Sequence, residues 1–528
     1  MANKTLIVIG GGAAGFFCAI NAAMANPNLQ ITILEKTNKI LSKVKVSGGG
    51  RCNVTHSCFD IATLSQQYPR GSTFVKKAFH QFNTNHTIAW FAKYGVTLHT
   101  ESDGRMFPTT NDSQTIIDCL LLQASKNKVV IKTNYAIEKI EKKDTIFYLT
   151  TKNQEILTAD YVCIATGGFP KLEQFDFIKN VKEMNGSNGL NVSKESNESK
   201  ESSGSNGSNE SKESNGSNEL KESNGSSGSN GSKESNESNE LSGLSGSNES
   251  NESKESKESS GSNGSKESNE SSESNGSNEL NVSKVSSGSN GAEESNESNT
   301  LTTNIDAPVP SLFTFNMPNH SITLLMGISV PHAMVKIKGT KYAFGGPILI
   351  THWGLSGPAV LKLSSFAAVA LAAMQYNFTI LINWVPSYNQ TSLQQHWLTL
   401  ISNNKQTVAN HNPLQLPNRL WLYFLALANI PTTNKWTDVP NQKQNILLQL
   451  LTNMECEVKG KTTFKEEFVT AGGVNLAQID YNTMQNKQIE NLYYAGEVLN
   501  IDGITGGFNF QNAWTTGWVA ANAIGNMK

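Results

Sequence analysis

Apolar and polar positions alternate with glycine near the N-terminus in a way that selects an element order. Thr5 to Ile9, TLIVI, is a short β-branched run; three glycines follow, then an alanine-rich stretch to Ala25, then a second apolar run, ITILEK. Runs of this length and composition predict buried strands, and the stretch between them predicts a crossover helix, so the unit reads as βαβ. Parallel neighbours joined by a helix imply a doubly wound α/β sheet, whose ligands lie beyond the carboxyl ends of the strands. YVCIAT, Tyr161–Thr166, ends in Gly167-Gly168 and predicts a further strand of the same sheet.

The pattern then stops. From Lys182 to Thr300 the chain cycles through SNGS, SNES and SKES units with almost no apolar residue. Such a segment cannot bury enough surface to offset its ordering entropy, and it is expected to be disordered. Beyond it, SLFTFNM, HSITLLMGIS, AMVKIKG and GPILITH are strand-like runs broken by Gly, Pro and Asn, which predict a β-rich domain. Ser392 to Met454 reads as helical, with leucine-rich periodicity in QNILLQLL, and the last sixty or so residues return to α/β signals, NLYYAGEVL as strand and NFQNAWTTGWVAANAIG as helix. The expected organisation is a nucleotide-binding domain from residues 1–181 and 466–528, built from both chain ends. The repeat at 182–300, a β-rich domain at 301–390 and a small helical domain at 391–465 lie between them.

Composition changes this picture in one respect. The repeat contains 10 Lys and 22 Glu, a formal −12, against −2 for the whole chain, which leaves the other 409 residues at +10. A basic folded part suits anionic cofactors or RNA, and it concerns association rather than fold. The six cysteines at 18, 52, 58, 119, 163 and 456 form no CxxC pair, which fits a reducing cytoplasm better than a disulfide framework. No apolar run approaches the ~18 residues of a membrane span. Lys4 and the following apolar stretch imitate a signal peptide, but the glycines inside it argue against one.

Gly10-x-Gly12-x-x-Gly15 lies between strand and helix, with Glu35 at the end of the next strand. Gly10 permits the tight turn, Gly12 lets the backbone approach a pyrophosphate, Gly15 allows close helix packing, and Glu35 can hold ribose hydroxyls, so Gly10, Gly12, Ala13, Ala14, Gly15, Glu35 and Lys36 are expected to bind a dinucleotide. The acid favours FAD or NAD over NADP. The C-terminal segment selects FAD: Gly496 and Glu497 close a strand, and Gly506, Gly507, Phe508 and Asn509 open a long helix after Asp502. In flavoproteins of the glutathione-reductase type, a late Gly-acid pair bonds the ribityl chain or pyrophosphate, and the next helix N-terminus faces the pyrimidine edge of the flavin.

SGGGRCNVTH, Ser47–His56, raises three possibilities: phosphate loop, redox cysteine, or wall of a flavin pocket. A Walker loop would need Gly-Lys-Ser/Thr after the glycines. The spacing between Cys52 and Cys58 differs from that of flavin-linked disulfide reductases, and Cys52, His56 and Cys58 lack a fourth zinc ligand, so no metal is expected. A flavin wall remains, with Gly49 and Gly50 allowing close approach, Arg51 for phosphate or ribityl oxygens, Asn53 for a flavin heteroatom, and Thr166 and Gly167 from the later strand. His352, Cys52 and Arg105 are the candidates for catalysis; Gly354-Leu355-Ser356-Gly357 does not satisfy the G-x-S-x-G of a nucleophile elbow.

Through IVIGGGAAG, SGGGRCNVT, DGRMFP, ATGG, THWGLSGPAVL, FVTAGGV and AGEVLNIDGITGGFNFQNAWTTG, in this order, the chain resembles the BaiN/RdsA-like, aminoacetone-oxidase-type family of FAD-binding flavoproteins. The resemblance implies an FAD-binding α/β domain, an inserted β-barrel-like domain and a small helical domain. It further implies reduction of conjugated carbon–carbon double bonds, with uracil in ribosomal RNA or a steroid-like acid as substrate; because only one dinucleotide fingerprint is present, NADH or NADPH, if used as donor, is expected to dock transiently. Amine oxidation and a non-catalytic flavin-binding partner of RNA or protein are the alternatives. The repeat interrupts a connection that is short in relatives.

Overall fold

The computed structural model describes residues 3–183, 300–402, 405–462 and 469–527. β1 (Thr5–Ile9), α1 (Ala13–Ala25) and β2 (Gln30–Glu35) form the βαβ unit that the apolar pattern predicts. Five parallel strands make the central sheet, in the order Leu492–Tyr494, Tyr161–Ile164, β1, β2, Val130–Thr133. The sheet therefore draws its strands from both ends of the chain.

One helix covers much of this sheet together with α1. It is the C-terminal helix Phe508–Gly525, and it approaches α1 so closely that a Cβ on Gly517 would stand 2.7 Å from Ala14 O, and one on Gly525 2.5 Å from Ala25 Cβ. Small residues on both helices permit that approach, and the aromatic rings of Phe17 and Trp514 fill the space beside it at 5.2 Å. Burying a ring such as Phe16 or Phe17, both fully enclosed, contributes about 2–3 kcal/mol each.

Three antiparallel sheets and one mixed sheet accompany the parallel one. A three-stranded sheet pairs Thr55–His56 and Leu98–Thr100 with Arg105–Pro108, placing His56 opposite Arg105. A five-stranded sheet contains Ile137–Lys143 and ends in the antiparallel pair Asn180–Glu183 and Thr300–Thr302. The expected disorder of residues 182–300 lies outside the described residues except at its two ends, where Lys182 and Thr300 are strand residues in register. The interruption therefore enters and leaves at adjacent positions, where loop-closure cost grows slowly with length.

A seven-stranded sheet runs through Ser329–Ile337, Ala343–Ile350 and Asn377–Asn383, and helices Gln390–Ile401, Asn418–Leu427 and Asn441–Asn453 share its core around Trp384, Trp397 and Trp421. Strand Ile305–Ser311 pairs with Val469–Val474.

Two local readings of the sequence are corrected. HSITLLMGIS is not a strand: Ser321–Leu325 is a 3-10 turn capped by His320, whose ring accepts from Ile322 N at 3.2 Å, and the strand begins at Ser329. In NLYYAGEVL only Leu492–Tyr494 is extended, because Gly496 has φ +78° and the chain turns into a 3-10 turn over Gly496–Val498.

Candidate functional site

The carboxyl ends of the parallel strands open onto a cavity of about 1150 Å³. Its wall changes character along its length. One part is made by Gly10, Gly12, Ala13, Ala14, Glu35, Lys36 and the segment Tyr135–Glu138; another is made by Gly49, Asn53, Arg105, Thr166, Gly167, Gly496, Glu497, Gly506, Gly507 and Asn509; Leu312, Thr314, Ser356, Leu361 and Thr462 add a face from outside the parallel sheet.

The glycines of the first turn carry different loads. Gly10 has φ +118°, and a Cβ there would meet Ala165 O at 2.4 Å; one on Gly15 would meet Gly10 O at 2.0 Å. Gly12 caps α1 in extended backbone with nothing within 4 Å of a Cβ position. That open space lies at a helix N-terminus, where unsatisfied amides and the helix dipole favour an anion. Glu35 closes the turn, since Oε2 accepts from Gly11 N at 2.9 Å and Oε1 from Thr37 N and Oγ1 at 3.0 and 2.9 Å. Oε2 keeps acceptor capacity for a hydroxyl. Lys36 lies over the Phe169 ring at 5.1 Å.

Glycine also shapes the second wall. α2 (Ser42–Gly50) breaks at Ser47, after which Gly48, Gly49 and Gly50 all have positive φ. Asn53, with its amide turned to satisfy both neighbours, donates to Thr55 O and accepts from Gly507 N, each at 2.9 Å. This ties the glycine loop to the N-terminus of the C-terminal helix. Asn509 closes the approach to that helix by exchanging two hydrogen bonds with Gly503. Glu497 accepts from Thr470 N at 3.0 Å and pairs with Lys43 at 2.6 Å. Beside it the buried Thr470 hydroxyl has no partner among the described residues.

Several residues singled out in the sequence lie outside the cavity wall. Arg51 pairs with Glu101 at 2.6 Å and lies over the Phe107 ring at 4.1 Å. Gly15 and Gly50 contribute backbone shape only. Cys52 is fully buried, and burial pushes its thiol up to about 12, which removes the thiolate a redox or metal role needs. Asp502 is enclosed by Arg70 and Ser311, the latter donating at 2.7 Å, and burial raises its carboxyl above the usual range despite these partners. Phe508 stacks on His56 at 4.7 Å, and its carbonyl accepts from Tyr68 Oη at 2.7 Å. His352 is exposed and stands edge to face with Trp353, so the wall does not include it.

The sequence reading missed residues that the fold brings in from afar. Thr314, Ser356 and Thr462 reach the cavity from three strands of the seven-stranded sheet, where the Trp353 indole donates to Thr314 Oγ1 at 3.1 Å. Isolated hydroxyls in strands carry no sequence signal. Glu101 was legible only as an acid four residues before Arg105, which it binds at 3.0 Å. Among the described residues no group of three or more His, Cys, Asp or Glu could hold a metal, and no helix is long and apolar enough to cross a membrane.

Open space at the first helix, an acid at the second strand and a second helix N-terminus on the same cavity fit FAD. A family model described as "HI0933-like protein Rossmann domain" matches residues 4–523. The chain belongs to the HI0933-like family. This HI0933-like protein is an FAD-dependent oxidoreductase. It is similar to "Ribosomal RNA dihydrouridine synthase" of Escherichia coli (strain K12), 24% identical over 98% of this chain and 97% of that one. The protein of the same name from Haemophilus influenzae is 22% identical over 98% of each chain. "3-dehydro-bile acid delta(4,6)-reductase" of Clostridium scindens is 20% identical over the same shares.

Proposed function

We propose that this HI0933-like protein reduces a conjugated carbon–carbon double bond, with uracil in ribosomal RNA as substrate and dihydrouridine as product. The observation that carries the reading is the shape of the cavity. The wall that fits a dinucleotide continues into a face made by Leu312, Thr314, Ser356, Leu361 and Thr462, so one space can hold a cofactor and a planar second molecule against it. Bound FAD supplies the hydride chemistry, replenished by NADH or NADPH.

The chain's own residues do the rest. Gly10, Gly12 and the N-terminus of α1 receive the pyrophosphate, Glu35 the adenosine ribose, and Glu497 the ribityl chain or pyrophosphate. Gly49 and Asn53, with Thr166 and Gly167, would bring backbone close to the ring system, and the helix opening at Gly506–Asn509 would stabilise negative charge on it. Lys36, Lys39, Lys43 and Lys152 on the wall, with the +10 balance outside the repeat, favour a polyanionic partner.

Two of the similar proteins are named for this reaction on RNA, which supports the RNA reading; the third is named for reduction of a bile acid, which supports a small conjugated substrate as the second reading. The test is comparative. Nucleosides of ribosomal RNA from cells with and without the gene are analysed by mass spectrometry. Loss of one dihydrouridine in the deletion strain supports the reading, and identical nucleoside profiles exclude RNA.

A further inference from the structure

This chain spends arginine sparingly. Of its 43 basic residues four are arginine, at 51, 70, 105 and 419, and 39 are lysine. Lysine provides a compact charge, whereas guanidinium provides a planar fork that stacks on rings and binds oxygens in fixed directions.

Two of the four stand together beside the glycine loop. Glu101 takes Arg51 on Oε1 at 2.6 Å and Arg105 on Oε2 at 3.0 Å, and Asp103 takes Nε of Arg105 at 2.7 Å. Both guanidiniums lie over the buried Phe107 ring, at 4.1 and 5.4 Å. The three-stranded sheet fixes the strand that carries Arg105 against His56. These contacts hold the Arg105 head and leave Nη1 without a partner among the described residues. An ion pair alone does not explain the arrangement, because Arg105 and Asp103 are 37% and 54% exposed and such pairs are worth little.

Arg105 lines the cavity with Gly48, Gly49, Asn53, Gly506 and Gly507. The other cations of the wall, Lys36, Lys39, Lys43 and Lys152, come from the turn after β2, the first turn of α2 and the end of the five-stranded sheet. Among the described residues Arg105 is therefore the one cation of the wall at the glycine loop.

Reducing a double bond conjugated to a carbonyl is helped by a fixed donor at the carbonyl oxygen, and a cation is a strong one. With hydride supplied by bound reduced flavin, a new C–H bond would form at the carbon remote from the carbonyl. The π pair shifts so that negative charge collects on the carbonyl oxygen, and a proton from solvent then completes the second C–H bond. The substrate gains two electrons and two hydrogens, and the flavin is oxidised.

Resting on the double-bond reductase reading, we propose that Arg105 is a catalytic residue that binds the carbonyl oxygen of the substrate through Nη1 and carries its negative charge during reduction, with Arg51 and Glu101 positioning it. Removing one such preorganised donor costs about 100-fold in kcat, with a smaller effect on KM.

The test uses holoenzyme with Arg105→Gln and Arg105→Lys. FAD content and Tm are expected to match wild type, since Arg105 lies at a half-exposed edge. Oxidised protein is titrated with a para-substituted phenol, whose phenolate oxygen sits on a planar conjugated frame like the developing anion, and long-wavelength charge-transfer absorbance reports its stacking on the flavin. Wild type is expected to bind it about 10-fold or more tightly than Arg105→Gln, with Arg105→Lys between them. Equal binding by the three proteins, or none by wild type, overturns the proposal. Turnover of a cyclic enone and of uridine-containing RNA by wild type tests the reductase reading separately, so its failure is distinguishable from that of Arg105.

Discussion

Lys43 Nζ meets Glu497 Oε2 at 2.6 Å, joining the first turn of α2 to the turn after the last parallel strand, more than four hundred residues away in sequence. The partners are unequal. Lys43 is half exposed, whereas Glu497 is largely enclosed and also accepts from Thr470 N. Glu497→Ala is therefore expected to lower bound FAD about 10-fold, because a buried amide loses its acceptor and the wall loses its carboxylate. Lys43→Ala is expected to change FAD content less than twofold. Flavin absorbance per protein after purification checks both.

The glycines of the first turn separate fold from ligand. Gly15→Ala would drive a Cβ into Gly10 O at 2.0 Å, and it is expected to destabilise the protein by about 3 kcal/mol. Gly12→Ala meets nothing in the protein. It is expected to leave the Tm of the apoprotein unchanged while weakening FAD binding on reconstitution, because the space it fills is the one the pyrophosphate needs. Thermal melts of the two apoproteins and FAD titrations decide the matter; a Gly12→Ala apoprotein with unaltered FAD affinity contradicts the assignment.

The contrast shows what could be read from residues alone. Gly10, Gly12, Gly15 and Glu35 were legible because a local turn imposes their spacing, and the parallel sheet was legible because its strands are continuous apolar runs. The seven-stranded sheet was only partly so. His320 capping a 3-10 turn and Gly496 ending a strand are single-residue backbone events that override propensity. Thr314, Ser356 and Thr462 become neighbours only through strand pairing, and Arg51, expected at the cofactor, is drawn away by Glu101, an acid fifty residues on.

Cys52 is predicted to be a quiet neighbour. With its thiol held near 12, it is expected to resist iodoacetamide in native protein at pH 8, and Cys52→Ser is expected to retain FAD and most activity. Below its ordinary value near 9 the thiol is neutral folded and unfolded; between about 9 and 12 only the unfolded chain ionises, so stability falls as pH rises through that window. Cys52→Ser removes this contribution. Its melting temperature should decline less steeply than that of wild type above pH 9.

Arg70 and Asp502 form a buried pair beside Ser311, a strand residue that also bonds Ser365 at 3.1 Å. Removing one partner strands the other charge, so Arg70→Ala is expected to cost about 3–5 kcal/mol. The double variant Arg70→Ala with Asp502→Asn is expected to recover part of that loss. Urea unfolding of the two variants checks the sign of the coupling; a double variant less stable than Arg70→Ala contradicts it.

The most direct measurement follows the flavin itself. Purified holoenzyme is mixed anaerobically with NADH or NADPH until the yellow colour bleaches, and ribosomal RNA from the deletion strain is then added without oxygen. Return of the oxidised flavin spectrum, with a uridine of that RNA gaining two hydrogens by mass spectrometry, is the predicted result. A flavin that neither nucleotide reduces, or that stays reduced with both RNA and a conjugated enone present, contradicts double-bond reduction as the work of this site.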